Sequence, residues 1–301
     1  MLQRRTDLAS EAIELWNESA ERAGKLPGVV SRESSRGGFD VATVKITGED
    51  GAAALGKPPG TYVTMELNSL ITREDGAFSR GVAALSDELR ALLGLEDGDS
   101  VLVAGLGNRA ITADAIGPET VKNTMVTGHL AESMPGSFDG FRRVFALEPG
   151  VLGTTGVESA RMIKAVADAV RPDRVIVVDA LASRRLSRIC RTVQLSDTGI
   201  VPGSGVGNAR AGIDRNALGV PVISVGVPTV VDAGTLAADI AERAGVSLED
   251  FAELEKLGGG LIVTPKDIDS SVTDISKLIG YAINLALHRG LTVDDVNMLL
   301  G

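Results

Sequence analysis

Short apolar runs rich in β-branched residues alternate with amphipathic helical segments over most of this chain. The clearest runs are residues 101–105, 143–147, 174–179 and 221–226. Because helices cover both faces of a parallel sheet, its strands are apolar throughout rather than alternately polar. At 301 residues the chain is long enough to bury one large core. We therefore predict an α/β fold with a mostly parallel sheet, helices on both faces and an N-terminal extension.

Two aspartates lie where such runs end. Asp114 follows the first run after a glycine-containing loop, and Asp179 closes the run over residues 174–179. Ligands of open α/β sheets bind at the carboxyl ends of the strands, so the pair is well placed for carboxylate chemistry. The pattern alone equally allows structural roles, because an Asp at such a position often caps the following helix.

The composition narrows the class of protein. Hydrophobic residues make up 44% of the chain and aromatic residues only 3%, which predicts an aliphatic core. The net charge of −10 argues against a general nucleic-acid binder or a basic membrane-surface protein. The single cysteine, Cys190, cannot form an internal disulfide. Since the N-terminus resembles no secretory signal and no run approaches ~18–20 apolar residues, we expect a soluble cytoplasmic protein.

Periodicity predicts the remaining elements. Helices are predicted over residues 1–24, 78–93, 115–131, after a capping-box spacing at residues 155–158, after residue 232, from 265 to about 288, and at the C-terminus. Further strands are predicted over residues 39–46, 61–67, 192–195 and 261–264. Residues 25–38 and 227–232 are predicted as connections.

Two glycine-rich segments suggest other kinds of site. Residues 105–110 fit the pattern G-x-G-x-x-A after a strand, which is typical of dinucleotide binding, with Glu148 as a ribose ligand. However, Asp114 follows where a phosphate would lie, and no helix begins directly after the glycines. The loop over residues 202–208 offers backbone amides for an anion or a carbonyl oxygen, or is simply a tight connection. Ser204 there lacks the spacing of a nucleophile elbow.

The histidines and the cysteine give little support to other chemistry. Only His129 and His288 are present, and no motif places either beside Cys190. We expect Cys190 to be a small buried residue, and His288 to end a C-terminal helix, where a cation would be favoured. A metal held by Asp114, Asp179 and His129 stays open as an alternative, although zinc-type spacing is absent.

Eight segments, in order along the chain, resemble the germination protease of endospore-forming bacteria. They are residues 56–64, 105–108, 114–118, 148–153, 178–182, 196–200, 202–208 and 226–232. The resemblance runs from about Arg5 to His288. It implies an atypical aspartic endopeptidase with a fold similar to hydrogenase maturation endopeptidases. It further implies that Asp114 and Asp179 are the catalytic pair, with no cofactor and no metal.

The same resemblance implies the biological setting. Members of this family initiate degradation of the small acid-soluble proteins of spores during germination, and are homotetramers made as zymogens. A location in the cytoplasm of the forespore and spore core follows, with no direct nucleic-acid or membrane partner. Three alternatives remain: a metal-assisted endopeptidase of hydrogenase-maturation type, a nucleotide-dependent Rossmann-like enzyme, and a non-catalytic spore assembly protein.

The N-terminus contains a segment that resembles the family's own cleavage motif. Substrates are cut after an acidic residue or threonine and before an apolar-Ala-Ser-Glu sequence, and residues 6–12 read Thr-Asp-Leu-Ala-Ser-Glu-Ala. The expected processing site is therefore the bond between Asp7 and Leu8. This gives a propeptide over residues 1–7 and a single α/β peptidase domain over residues 8–301. An ordinary helix N-cap at Thr6 or Asp7 is the simpler interpretation; if the segment is helical, it must unwind to be cut.

A mechanism follows from two carboxyls held close together, because one of them then keeps its proton near neutral pH. We expect Asp114, near a helix N-terminus, to be the ionised base that activates water. Asp179, at the end of an apolar strand, is expected to be the acid. Amides of residues 203–207 are expected to stabilise the oxyanion.

Overall fold

One mixed β-sheet runs through the molecule. The structure is a computed structural model, and it describes residues 7–18, 26–134, 140–204, 210–244 and 261–300. Within them the strands are β1 (Val29–Arg36), β2 (Phe39–Ile46), β3 (Gly60–Glu66), β4 (Val101–Gly105), β5 (Val144–Leu147), β6 (Arg174–Ala182), β7 (Thr192–Ser196), β8 (Val222–Asp232) and β9 (Ile262–Val263). Their order across the sheet is β1-β2-β3-β7-β8-β6-β4-β5, and β9 pairs with β8.

The helices lie between these strands and at both ends of the described chain. They are α1 (Ala9–Glu18), α2 (Glu49–Leu55), α3 (Asn68–Ile71), α4 (Ala77–Leu93), α5 (Ile116–Lys122), α6 (Leu130–Ser133), α7 (Leu152–Thr155), α8 (Ser159–Val170), α9 (Arg215–Leu218), α10 (Ala233–Arg243), α11 (Ile268–Leu287) and α12 (Val293–Leu300). Two short 3₁₀ turns, Thr112–Asp114 and Leu186–Arg188, complete the described elements.

The predicted α/β class is confirmed. Strands β5, β4, β6 and β8 are parallel, as predicted for the strands that carry the aspartates. Beyond β8 the sheet continues with antiparallel β7, β3, β2 and β1, so the sheet as a whole is mixed. Alternate residues of β4 and β6 enter two different cores, one under α4 and α11 and one under α8. Strands β4 and β6 are therefore buried on both faces.

Several predicted boundaries are wrong, for identifiable reasons. Residues 29–36, predicted as a connection, form edge strand β1, whose nearly all-exposed residues show no alternation to reveal it. The helix predicted over residues 115–131 ends at Lys122. Beyond it the backbone amides of Thr127 and Gly128 bind the Val144 carbonyl instead of a preceding turn. Residues 227–232, predicted as a connection, continue β8.

The capping box predicted at residues 155–158 does not form. Thr155 belongs to the short helix α7, and its hydroxyl accepts a hydrogen bond from the Val157 amide. Helix α8 begins at Ser159 with Glu158 in the N-cap position and no side-chain cap. The Ser159 hydroxyl instead donates to the carbonyl of Gly150.

The N-terminal helix begins later than predicted, after the expected processing site. Helix α1 starts at Ala9, so Asp7 and Leu8 lie outside it, and the predicted residues 1–6 and 19–24 lie outside the described residues. Ala9 and Ala12 pack on β2, α2 and β3 in a small separate core. No helix in the described ranges has the length and apolar character that crossing a membrane requires.

Candidate active site

Asp179 projects from the middle of the parallel part of the sheet. Strand β4 ends at Gly105, which pairs with Val178, so Asp179 is the first residue of β6 beyond the end of β4. Strand β6 itself continues for three residues, to Ala182, alongside β8. The side chain is buried, and one carboxyl oxygen, Oδ1, accepts a hydrogen bond of 2.9 Å from the Ala180 amide. The strand thus presents a buried carboxyl just beyond the point where β4 stops.

Asp114 lies close to Asp179, on the 3₁₀ turn that follows β4. The Asn108 amide donates to its Oδ2 at 2.8 Å and to its backbone carbonyl at 3.1 Å. Gly107 lies against this turn with φ of +113°, and a Cβ there would lie 1.9 Å from the Asp114 carbonyl oxygen. The side chain does not cap α5, since the N-cap position belongs to Ala115 and has no side-chain cap. The glycine motif therefore serves close packing around Asp114.

The environment of the two carboxyls disfavours their ionised forms. Burial raises the pKa of Asp179 well above its usual range, the nearby Asp114 carboxylate raises it further, and Asp7 adds a smaller increase. The Ala180 amide opposes these effects by hydrogen bonding to the carboxylate. Burial also raises the pKa of Asp114, against the lowering effect of the Asn108 amide. Asp179 is thus the carboxyl that holds a proton more readily.

The segment before α1 docks on the end of β6, beside Asp179. The Asp7 amide donates to the Ala182 carbonyl at 3.2 Å, and the Ala182 amide donates to Asp7 Oδ2 at 3.0 Å. Asp7 Oδ1 accepts a hydrogen bond of 2.7 Å from the Ser204 hydroxyl. The next side chain, Leu8, is fully buried. The expected processing site therefore lies against the sheet edge that carries the carboxyl pair.

Two side chains hold the backbone at this site. Lys57 Nζ donates to the Asp7 carbonyl oxygen at 2.9 Å, and Gln194 Nε2 donates to the same oxygen at 3.2 Å. Gln194 Oε1 in turn accepts a hydrogen bond of 2.7 Å from the Ala9 amide. Burial lowers the pKa of Lys57, while the carboxylates of Asp7 and Glu11 act in the opposite direction. The carbonyl of the Asp7–Leu8 bond thus receives two side-chain donors.

Glu11, in the first turn of α1, anchors the segment on its other side. Its side chain is only 1% exposed. Its carboxylate accepts hydrogen bonds from the Ser183 hydroxyl at 2.8 Å and from the amides of Arg184 and Arg185 at 2.8 and 3.1 Å. The Arg188 guanidinium lies 3.9 Å away. Because a buried charge is costly unless it is paired and hydrogen-bonded, this arrangement fixes Glu11 in one position.

The other predicted site residues lie apart from the pair or take structural roles. Glu148 forms an ion pair with Arg109 at 2.7 Å. His129 is exposed before α6, and within the described ranges no three His, Cys, Asp or Glu side chains are grouped so as to hold a metal ion. Cys190 is buried as predicted, and burial raises its pKa to about 12.

The expectation of a cationic His288 at a helix end is not met. Burial, followed by the charge of Arg142, lowers its pKa to about 4, so the ring is neutral near pH 7. Its Nδ1 accepts a hydrogen bond of 3.3 Å from the Arg142 amide. That amide lies just before β5, so the ring is at the amino ends of the parallel strands, whereas the aspartates are at their carboxyl ends.

Sequence reasoning missed Lys57, Gln194 and the binding of Glu11. Gln194 could have been noticed in the sequence because it is a polar residue between two apolar ones, Val193 and Leu195, in a buried strand. Lys57 lies in a turn of glycines and prolines that indicates a fixed backbone but not its target. The loop predicted to supply oxyanion amides is only partly described: Ser204 binds the Asp7 side chain, and residues 205–209 lie outside the described residues.

An α/β sheet whose carboxyl edge holds two carboxyls, with the segment before α1 bound to the end of β6, defines a candidate peptidase. A family model described as germination protease matches residues 8–244. The chain is 44% identical to a germination protease of Caldanaerobacter subterraneus subsp. tengcongensis over 98% of both chains. It is 35% identical to one of Bacillus subtilis, over 97% of this chain and 95% of that one. The chain therefore belongs to the germination protease family, and it is a hydrolase with a protease role in spore germination.

Among solved structures, a [NiFe] hydrogenase maturation protease, HycI from Thermococcus kodakarensis KOD1, matches at 16% sequence identity. The match covers 65% of this chain and 98% of that one, with a TM-score of 0.36.

Proposed function

We propose that this peptidase is an aspartic-type endopeptidase in which Asp114 and Asp179 share one proton. Ionised Asp114 takes a proton from water as the water oxygen attacks the peptide carbonyl carbon. Protonated Asp179 then gives its proton to the leaving amine as the C–N bond breaks. The observation that carries this proposal is the burial of Asp179 next to Asp114, which raises the pKa of Asp179 further than that of Asp114. This difference supports Asp179 as the acid and Asp114 as the base.

We further propose that the chain is a zymogen that cuts its own Asp7–Leu8 bond. Residues 1–7 are then the propeptide, and residues 8–301 are a single α/β peptidase domain. The binding of Asp7 to Ala182, three residues beyond Asp179 on β6, supports this, and the scissile bond lies before the first residue of α1. The backbone hydrogen bond from the Asp7 amide to the Ala182 carbonyl is the kind of main-chain contact by which the edge of a sheet holds a bound peptide.

The natural substrates in this proposal are small acid-soluble spore proteins that carry the motif found at residues 6–12. The identities of 34–44% to eight germination proteases over nearly the whole chain support this substrate class. The enzyme acts without cofactor or metal in the cytoplasm of the forespore and spore core, as a homotetramer. Light scattering tests the assembly, since a tetramer of the 31.1 kDa chain has a mass of about 124 kDa, four times the single chain.

Digestion of a small acid-soluble spore protein by the full chain tests the catalytic pair. Asp114→Asn and Asp179→Asn should each lower the cleavage rate by at least ~100-fold if both side chains transfer protons. Asp40→Asn, an exposed carboxyl on β2, is the matched control and should cleave normally. Near-normal cleavage by either active-site variant would reject the pair. N-terminal sequencing of the incubated wild type should show a chain that begins at Leu8, and any other start rejects the processing site.

The same assay tests the metal-assisted and the non-catalytic alternatives. Loss of cleavage with a chelator and its recovery with added metal would favour the metal-assisted peptidase. Binding of the spore protein without any cleavage would favour the assembly protein.

A further inference from the structure

The carbonyl oxygen of the proposed scissile bond is bound by two side chains that the proton-transfer mechanism does not use. Lys57 and Gln194 converge on the Asp7 carbonyl oxygen from two separate elements, at 2.9 and 3.2 Å. We infer that Lys57 and Gln194 form the oxyanion-binding pair of this peptidase. The inference rests on the proposed cleavage at Asp7–Leu8 and adds two catalytic residues to it.

The fold fixes Lys57 before any substrate reacts. Helix α2 ends at Leu55, and its C-cap residue Gly56 is left-handed with φ of +62°; the Gly56 amide donates to the Ala52 carbonyl and closes the last turn. Pro58 and Pro59 follow Lys57, and their rings fix the φ angles of these two residues. The Tyr62 hydroxyl, from β3, donates to the Pro58 carbonyl at 2.7 Å. The backbone from which the Lys57 side chain extends is therefore a stiff turn, which reduces the freedom of the ammonium group, as electrostatic preorganisation requires.

Gln194 is fixed just as firmly. It lies on β7 between β3 and β8, and its side chain is buried. An amide in such a place is costly to bury without hydrogen bonds. Both ends of the amide are used here, because Nε2 donates to the Asp7 carbonyl and Oε1 accepts from the Ala9 amide. The side chain thus holds the backbone on both sides of the Asp7–Leu8 bond.

The chemistry of the step assigns a separate task to each group. Attack of water forms a C–O bond at the Asp7 carbonyl carbon, and the electron pair of the C=O bond moves onto the oxygen. The Lys57 ammonium and the Gln194 Nε2–H donor stabilise that developing negative charge. Collapse restores the C=O bond and breaks the C–N bond to Leu8. Because the oxygen already has two donors, the proton on Asp179 is left for the leaving amine.

Matched substitutions test this assignment on the full chain. Lys57→Met keeps an unbranched side chain, one heavy atom shorter, and removes its charge. Gln194→Glu keeps the acceptor for the Ala9 amide and removes the donor to the scissile carbonyl. Lys57→Arg keeps a cation, and Lys164→Met, an exposed lysine on α8, is the control. Circular dichroism and thermal melting check that each variant is folded.

Two rates are measured for each variant. The first is the appearance of the new N-terminus at Leu8, and the second is cleavage of an added peptide with the sequence of residues 6–12 after processing is complete. Removal of one oxyanion donor lowers kcat by about 10²–10³-fold in known enzymes. We expect a loss of that size for Lys57→Met and for Gln194→Glu in both rates, with KM for the peptide changed less than kcat. Lys57→Arg should recover part of the loss.

The outcomes separate this inference from the proposed function. If wild type does not cut at Asp7–Leu8, or if Asp114→Asn and Asp179→Asn still cut, the proposed function fails. If wild type cuts, the two Asn variants do not, and Lys57→Met and Gln194→Glu keep the wild-type kcat, only the oxyanion assignment is overturned. An effect on self-processing or on KM alone would likewise overturn it, because it would show that the two side chains merely anchor the N-terminal segment.

Discussion

Substitution of Asp179 by Asn should stabilise the folded protein at neutral pH. A buried carboxyl whose pKa is raised in the folded state binds a proton more tightly there than in the unfolded chain. Stability from this group is therefore fully present below the usual pKa of the unfolded carboxyl, and it is lost as the pH rises toward the folded value. Asn is nearly the same shape, and its Oδ1 can still accept the hydrogen bond from Ala180. Because the Asn side chain does not ionise, the variant avoids the free-energy cost of a buried charge.

The size of the effect follows from the linkage between pKa and stability. Each tenfold change in the acid dissociation constant between the folded and unfolded states corresponds to about 1.4 kcal/mol. Unfolding entropy is about 2.1 cal/mol/K per residue, or roughly 0.6 kcal/mol/K for a chain of 301 residues. For each tenfold change in the acid dissociation constant of Asp179, the Tm of Asp179→Asn at pH 7 should therefore exceed that of wild type by about 2 °C. Near pH 4 the difference should vanish.

Calorimetric scans of the unprocessed full chain between pH 4 and pH 8 test this expectation, with mass spectrometry to verify an intact N-terminus. Asp40→Asn removes an exposed carboxyl and should leave the pH dependence of Tm unchanged. The reasoning is refuted if wild type and Asp179→Asn have the same pH dependence, or if the Asn variant melts at the lower temperature at pH 7. Either result would mean that Asp179 is ionised at little cost in the folded protein.

Two further predictions concern residues around the site and at the opposite edge. Gly107→Ala should unfold more easily than Gly98→Ala and should lose cleavage activity. Both glycines have a positive φ, but a Cβ at Gly107 would collide with the Asp114 carbonyl, whereas a Cβ at Gly98 would meet open space. Urea titrations measure the stability of the two variants, and a cleavage assay measures their activity. Because of His288, the free energy of unfolding should fall by about 2 kcal/mol from pH 7 to pH 5. The pKa of this histidine is about 4 in the folded protein, below its usual value in the unfolded chain, so on acidification the unfolded chain binds the proton before the folded protein does. Urea titrations at the two pH values should show a smaller loss for His288→Gln, and an unchanged loss for His129→Gln.

The aspartates could be placed from the sequence because local patterns and sheet topology agree there. Runs such as residues 101–105 are apolar on both faces, which predicts parallel strands, and parallel strands bring their carboxyl ends to one edge. Lys57 and Gln194 could not be placed in this way. They reach Asp7 from the antiparallel half of the sheet, 50 and 187 residues away along the chain. Strand β1, which borders that half, has almost no buried residues to mark it.

Asp7 connects the docked segment to the chemistry of the pair. Its carboxylate is one of the causes that raise the pKa of Asp179, although the smallest, and it is held in place by the Ala182 amide and the Ser204 hydroxyl. Cleavage of the Asp7–Leu8 bond would release this charge with the propeptide. An acidic residue in the same position of a bound substrate would then restore the charge, and with it the preference of Asp179 for its proton. In the proposed mechanism, the acidic residue before the scissile bond would thus help to keep Asp179 protonated until the amine leaves.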